Sequence, residues 1–176
     1  MVYLMPFDSD HMRRPGHSLL EVLIILGMIG LVGTFAALAV NAARSRQRDA
    51  TRLSQVRQGQ SALEDYFGTM NSYPPGEQLP LGDSAQSSCL GTGGFKTDCS
   101  GDRDVFLRII RGTTGAGLKG LVACGTPLRN AFCYTQRKGG DSYAIQFELE
   151  NALPEVGIVK GVNCATPDGM AGGACR

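Results

Sequence analysis

A long apolar run at residues 19–40 constrains the fold of this chain more than any other feature. Its 22 residues would extend roughly 33 Å as a helix, which matches the hydrocarbon core of a bilayer. Glu21 is the one ionisable residue in the run, and Arg13 and Arg14 precede it. The length predicts a membrane-spanning helix. The carboxylate near its start needs a partner, because a charge in an apolar layer is costly.

Three simpler interpretations of the run stay open. A secretory signal peptide has a shorter apolar core and a small-residue cleavage site, which Ala42 and Ala43 would mimic. A plain single-pass anchor explains the length but leaves Glu21 unexplained. A capping box, with Ser18 at the N-cap and Glu21 at N3, would give the carboxylate a local role at the positive end of the helix dipole.

The segment Gly16-His17-Ser18-Leu19-Leu20-Glu21, followed by the apolar run, resembles the N-terminal signature of type IV pilins and type II secretion pseudopilins. The resemblance implies that a prepilin peptidase cuts between Gly16 and His17 and that His17 is then N-methylated. It also implies that Glu21 serves assembly by pairing with the N-terminus of a neighbouring subunit. Such pairing is strongest where the dielectric constant is low.

The cut implied by the resemblance and the pattern of the remaining residues together divide the 176 residues into four parts. We expect a leader at residues 1–16, which is removed, and a transmembrane or filament-core helix at 17–43. An amphipathic helix half would follow at 44–72, and a globular head at 73–176. The net charge of +1 gives no general argument for nucleic acid as a partner.

Six cysteines follow the apolar run and none forms a C-x-x-C motif: Cys89, Cys99, Cys124, Cys133, Cys164 and Cys175. They permit 15 disulfide connectivities. A nearest-neighbour scheme would close three loops of about ten residues, each stabilising by roughly 2.5–3 kcal/mol. Zinc binding is the alternative, although the spacings do not fit a zinc motif.

Disulfides form in an oxidising compartment, which favours a periplasmic or extracellular head. The arginine count favours the opposite orientation, because Arg44, Arg46, Arg48 and Arg52 follow the run. The cysteines and the resemblance together predict a protein anchored in the inner membrane by one helix with a periplasmic head. After assembly it would belong to a periplasmic or cell-surface filament.

Beyond residue 40 the pattern becomes amphipathic. The predicted core-facing positions are Leu53, Val56, Gln60, Leu63, Phe67 and Met70, and the predicted solvent-facing positions are Arg52, Arg57, Glu64 and Asp65. Pro74 and Pro75 predict the end of the helix. The stretch from Arg48 to Pro74 also resembles the corresponding part of the major pseudopilins.

In the head, residues 73–101 are rich in Gly, Ser and Pro and predict a loop. The further expected elements are a short helix at 103–111 capped by Asp102, a hairpin of strands 130–137 and 142–150 joined by a turn at 138–141, and a strand at 156–162. The predicted class is therefore α+β. A long N-terminal α-helix, apolar and then amphipathic, would pack on a small antiparallel β-sheet head in a pilin-like manner.

The tail, residues 163–176, predicts a glycine-rich loop flanked by Cys164 and Cys175. It resembles the disulfide-closed C-terminal loop of many pilins. Many major pseudopilins instead hold calcium there, and Asp168 alone is a poor basis for such a site. We expect no cofactor otherwise and no metal.

The sequence offers no constellation for catalysis, and we expect no enzyme and no catalytic residue. His11 and His17 are the only histidines, so the serines and aspartates of the loops lack a base. The basic residues between Arg44 and Arg57 suit a solvated helix face or the acids of neighbouring subunits better than DNA or anionic lipid.

The resemblance implies a structural subunit of a type IV pilus or type II secretion pseudopilus. Its partners would be identical subunits, the prepilin peptidase, membrane lipids, and an inner-membrane assembly platform with its ATPase. Nucleic acid would join them only in a DNA-uptake pilus. The alternative is a monomeric, membrane-anchored binding module without processing.

Overall fold

The computed structural model describes residues 18–108, 120–125 and 129–175 of the chain. It has one long N-terminal α-helix followed by antiparallel sheets, so the α+β class predicted from the sequence is confirmed. The chain divides into two compact units with the boundary between Asn41 and Ala42.

Helix α1 runs from Leu19 to Met70. Its first 22 residues form the apolar run, and the rest carries the amphipathic pattern. Asn71 ends the helix in a left-handed conformation, with φ of 53°, and its N–H donates to the carbonyl of Phe67 at 2.7 Å. This arrangement is a common way to satisfy the last helical carbonyls, and the prolines that follow prevent continuation.

Ten short strands follow in the described part of the chain, all paired antiparallel. They are β1 (Leu79–Pro80), β2 (Cys89–Gly91), β3 (Gly94–Lys96), β4 (Val105–Arg108), β5 (Ala123–Cys124), β6 (Arg129–Asn130), β7 (Cys133–Arg137), β8 (Ser142–Leu149), β9 (Gly161–Thr166) and β10 (Gly169–Gly172). The largest sheet has the order β1-β7-β8-β9-β10. A three-stranded sheet β3-β2-β4 and the pair β5-β6 complete the second unit.

The core of the second unit lies between the large sheet and the helix residues after Asn41. Tyr134, Ile145 and Phe147 of the sheet are fully buried, as are Val56 and Leu63 of α1. Central strand β8 has neighbours on both sides, and its alternating apolar side chains face this core.

The buried stripe of α1 is rotated by about one residue from the predicted stripe. Val56 and Leu63 are buried as expected, and Leu53, Phe67 and Met70 are partly buried. The buried column is Asp49, Arg52, Val56, Gly59, Leu63 and Tyr66, at alternating spacings of three and four, and Ala62 beside it is also buried. The assignment of Arg52 to the solvent face was therefore wrong, since only 1% of it is exposed.

The predicted β7–β8 hairpin is present, with a turn of 3₁₀-helix at Lys138–Gly140. Lys138, Gly139 and Gly140 all have positive φ, which the two glycines adopt without strain. Residues 130–137 are not one strand, because Asn130 ends β6 and Cys133 begins β7.

Three local predictions for the head were wrong. In place of the helix at 103–111, Val105–Arg108 forms β4, held by pairing with β2, while residues 109–111 lie outside the described part. The strand expected at 156–162 begins only at Gly161. The expected loops at 73–101 and at the tail contain strands β1 to β3, and the β9–β10 hairpin.

Three disulfides join the cysteines in the nearest-neighbour scheme: Cys89–Cys99, Cys124–Cys133 and Cys164–Cys175. Each closes a loop of about ten residues, so each limits the unfolded chain locally. No described cysteine is free, and no thiolate remains for zinc in this part of the chain.

Candidate functional site: an exposed apolar helix and a buried charged cluster

The apolar run of α1 leaves its large side chains exposed. Leu19 is 77% exposed, Phe35 64% and Leu38 67%. The others share this exposure: Leu20, Val22, Leu23, Ile24, Ile25, Leu26, Met28, Ile29, Leu31, Val32 and Val40. Burying one such side chain gains about 1.5–3 kcal/mol, so this surface requires a nonpolar environment. By length and composition α1 can cross a membrane, and its apolar stretch is not buried within the protein.

Glu21 lies in the first turn of this apolar helix and is exposed. Ser18 directly precedes the helix, and its carbonyl accepts a hydrogen bond of 3.2 Å from the N–H of Val22. Ser18 thus occupies the N-cap position and Glu21 the N3 position, where a carboxylate suits the helix dipole. Gly16 and His17, the predicted cleavage and methylation positions, lie outside the described residues.

Three glycines interrupt the apolar surface at Gly27, Gly30 and Gly33. A Cβ atom added at any of them would meet nothing within 4 Å. Small residues of this kind allow the backbones of two helices to approach closely within a membrane. The apolar helix therefore has room for direct packing against a second helix.

A second feature, the buried charged cluster, lies where α1 meets the end of β8. Asp49 and Arg52 form its buried centre, and Arg48, Glu150 and Asn151 are its partly buried members. Arg48 binds Glu150 in a bidentate manner, with Nε 2.7 Å from Oε1 and Nη2 2.6 Å from Oε2. Arg52 Nη1 donates to Glu150 Oε1 at 2.8 Å and to Asp49 Oδ1 at 2.9 Å. Charge-assisted and paired hydrogen bonds of this kind are the strongest that proteins form.

Asp49 also fixes the backbone after β8. Its carboxylate accepts hydrogen bonds from the N–H groups of Glu150 and Asn151, at 2.9 and 2.8 Å, and from Asn151 Nδ2 at 2.8 Å. Asn151 Nδ2 also donates to Ser45 Oγ at 3.2 Å. The cluster therefore fastens the chain after β8 to the helix positions from Ser45 to Arg52.

The arginines lower the pKa of Glu150 to about 2, because Arg48 and then Arg52 donate hydrogen bonds to its charged form. The same contact raises the pKa of Arg48. Glu150 is therefore fully ionised near neutral pH, and the two arginines are neutralised within this chain. The predicted solvated basic face is consequently smaller than expected, and its exposed members are Arg44, Arg46 and Arg57.

Sequence reasoning missed Asp49, Glu150 and Asn151 as partners of this cluster. A usable signal was present on the helix, because Asp49 and Arg52 continue the spacing of Val56 and Gly59 toward the N-terminus. No nearby sequence pattern identifies Glu150 as a partner of Arg52, because the two residues are 98 positions apart in the chain.

The predicted C-terminal disulfide loop borders a cavity of about 530 Å³. Asp168 lines it together with Arg137 and the Cys164–Cys175 disulfide. Asp168 lies in the turn between β9 and β10. Among the described residues, no group of three or more His, Cys, Asp or Glu side chains is placed to hold a metal ion.

Comparisons with protein-family models, with curated proteins and with solved structures give no match for this chain. The architecture, one long apolar N-terminal helix with a small β-sheet, is compatible with a pilin-like protein.

Proposed function

We propose that this chain is a structural subunit of a type IV pilus or type II secretion pseudopilus. The observation that carries the proposal is the exposed apolar surface of α1 with a single carboxylate, Glu21, in its first turn. A simple anchor requires the apolar surface but not the carboxylate. A subunit that moves from a bilayer into a bundle of identical helices has a use for both.

The apolar surface suits two environments in succession. In the inner membrane, lipid tails would cover the side chains of residues 19–40. In a filament, the same side chains would pack against those of neighbouring copies, and Gly27, Gly30 and Gly33 leave space for such contacts. Replacing contacts with lipid tails by contacts with neighbouring helices costs little free energy, because lipid tails and apolar side chains are similarly nonpolar.

Glu21 would set the register of each new subunit. A cut between Gly16 and His17 creates an α-ammonium group at the positive end of the helix, where the dipole disfavours it. Pairing with the carboxylate of a neighbour's Glu21 in a nonpolar filament core would compensate both charges. N-methylation of His17 would leave that positive charge in place.

The remaining partners follow from the same proposal. A prepilin peptidase would remove residues 1–16, and an inner-membrane platform with its ATPase would drive assembly. The head would be periplasmic, where the three disulfides are stable.

Replacing the carboxylate tests the proposal directly. We expect Glu21→Val to insert into membranes at least as well as the wild type and to abolish filament assembly in cells that carry the assembly machinery. The matched control is Asp65→Val, which removes an exposed carboxylate from the same helix and should assemble normally. Normal filaments formed by Glu21→Val would refute the proposal.

The second candidate is a monomeric anchored binding module. The cavity of about 530 Å³ beside the Cys164–Cys175 disulfide favours it, because binding modules present such clefts. This candidate requires that Glu21→Val leave membrane insertion and the state of the protein in the membrane unimpaired. It also requires that residues 1–16 be retained.

A further inference from the structure

The arginines that follow the apolar run fall into two groups. Arg48 and Arg52 are bound by Glu150 and Asp49, so their charges are compensated within the chain. Arg44, Arg46 and Arg57 are exposed, and the described residues include no ion pair to any of the three. Among the described arginines that follow the apolar run, Arg44 and Arg46 are the two nearest to it that form no ion pair.

Along the helix, Arg44 lies at the depth of a lipid headgroup layer and Arg46 lies just beyond it. Each residue advances a helix by 1.5 Å, so Arg44 and Arg46 lie about 6 and 9 Å beyond Val40 along the helix axis. The headgroup layer extends roughly 5–8 Å on either side of the hydrocarbon core. Arg57 lies about 25 Å beyond Val40 and is outside this layer.

Side-chain direction brings the two guanidinium groups closer to the lipid. In an α-helix every Cα–Cβ bond tilts toward the N-terminus, which here is the direction of the apolar run. The long aliphatic stem of arginine also allows the charged end to extend along an apolar surface to the interface. Arg44 and Arg46 can thus reach phosphate groups that lie nearer the bilayer than their own Cα atoms.

We propose that Arg44 and Arg46 bind the phosphate groups of anionic phospholipids before the subunit leaves the membrane. The planar guanidinium group recognises phosphate with two parallel hydrogen bonds, and the negative charge of an anionic lipid headgroup complements its positive charge. The inference rests on insertion of the apolar run in a membrane and is independent of whether filaments form. Arg48 takes no part in this lipid binding, because its guanidinium group already donates two hydrogen bonds to Glu150.

The test uses the full chain purified in mixed micelles of phosphatidylglycerol and phosphatidylcholine in equal amounts. Native mass spectrometry measures which lipid stays bound. We expect the wild type to retain phosphatidylglycerol preferentially, and each of Arg44→Gln and Arg46→Gln to lower this preference about fivefold at low salt. The double variant should lose it almost entirely, whereas the matched control Arg57→Gln should keep it.

An unchanged preference in the double variant would overturn the proposal, as would an equal loss in Arg57→Gln, because that would indicate nonspecific charge attraction. Loss of filaments by the double variant with an unchanged lipid preference would instead assign the two arginines to carboxylates of a second copy, and would also overturn it. Extraction of the protein from membranes by alkaline carbonate reports separately on insertion, so failure of the anchor is distinguishable from failure of the lipid site.

Discussion

Arg52 donates a hydrogen bond of 2.8 Å from Nη1 to Oε1 of Glu150, although 98 residues separate the two in the chain. Their side chains are only 1% and 9% exposed. Nε and Nη2 of Arg52 are buried without a hydrogen-bond partner among the described residues, so only part of the hydrogen-bonding capacity of the guanidinium group is used. In a buried pair of this kind, desolvation offsets much of the attraction, whereas removing one partner leaves an uncompensated buried charge.

Asp49→Ala should lower the free energy of unfolding by about 3–5 kcal/mol, because it leaves the buried Arg52 with less compensation and two backbone N–H groups without an acceptor. Urea denaturation of the full chain in detergent measures the effect. Asp65→Ala, at an exposed position of the same helix, is the control and should change stability by less than about 0.5 kcal/mol. Equal effects of the two substitutions would contradict the role given to the cluster.

The free energy of unfolding should fall on acidification, because the pKa of Glu150 is about 2 in the folded protein and near its ordinary value of 4.5 in the unfolded chain. The ionised form is favoured by folding, so its contribution is complete above about pH 4.5 and is lost as the pH falls toward 2. Arg48 is 36% exposed and solvent weakens its share, so we expect a loss of about 1–3 kcal/mol.

Urea denaturation at pH 6 and pH 3 tests this dependence on Glu150. Glu150→Gln cannot ionise, so this variant should be less stable at pH 6 and should lose less stability between the two values. Parallel losses in the variant and the wild type would show that other carboxylates cause the acid effect.

Replacing both Cys164 and Cys175 by serine should cost about 3 kcal/mol of stability, because the disulfide closes a loop of 11 residues in the unfolded chain. That loop contains edge strand β10, which is held to the rest of the sheet only by β9 among the described strands. Chemical denaturation without reductant measures the loss. The Cys89→Ser and Cys99→Ser pair removes a loop of similar length and should cost a similar amount. A loss below about 0.5 kcal/mol in both would refute the loop-closure account.

Glu64→Ala should destabilise the protein by about 1–2 kcal/mol. The hydroxyl of Tyr73 donates to both carboxylate oxygens of Glu64 at 3.0 Å, and the hydroxyl of Tyr143 lies 3.4 Å from Oε1. Removing a charged acceptor from these partly buried hydroxyls leaves them with weaker partners. Tyr73→Phe removes one donor and should reproduce part of the loss. If Glu64→Ala and Asp65→Ala have the same effect, these hydrogen bonds contribute nothing measurable.

The helix was predictable because its signals are local. The apolar run of residues 19–40 and the later spacing of Val56 and Leu63 indicate helix without any knowledge of distant residues. Pro74 and Pro75 predicted its end to within a few residues. The β7–β8 hairpin was predictable for the same reason, since the alternation of Tyr143 and Ile145 follows directly after a glycine-containing turn.

The remaining details depend on partners far along the chain. Val105 and Phe106 have spacing compatible with a helix, but β2 offers them strand pairing from about 15 residues away. Arg52 has the composition of a solvent-facing residue, and only Glu150 makes its burial tolerable. Gly16 and His17 are predicted processing positions on the basis of a resemblance alone, and they lie outside the described residues.

The measurement that tests the central claim most directly is the intact mass of the protein extracted from membranes of its own cells. The account predicts a chain that begins at His17, with one added methyl group, because a prepilin peptidase would cut after Gly16. A mass that retains residues preceding His17 would contradict the account and favour a simple anchor, with Glu21 reduced to a helix cap. A mass that begins near residue 44 would identify residues 1–43 as a signal peptide and would exclude the filament subunit.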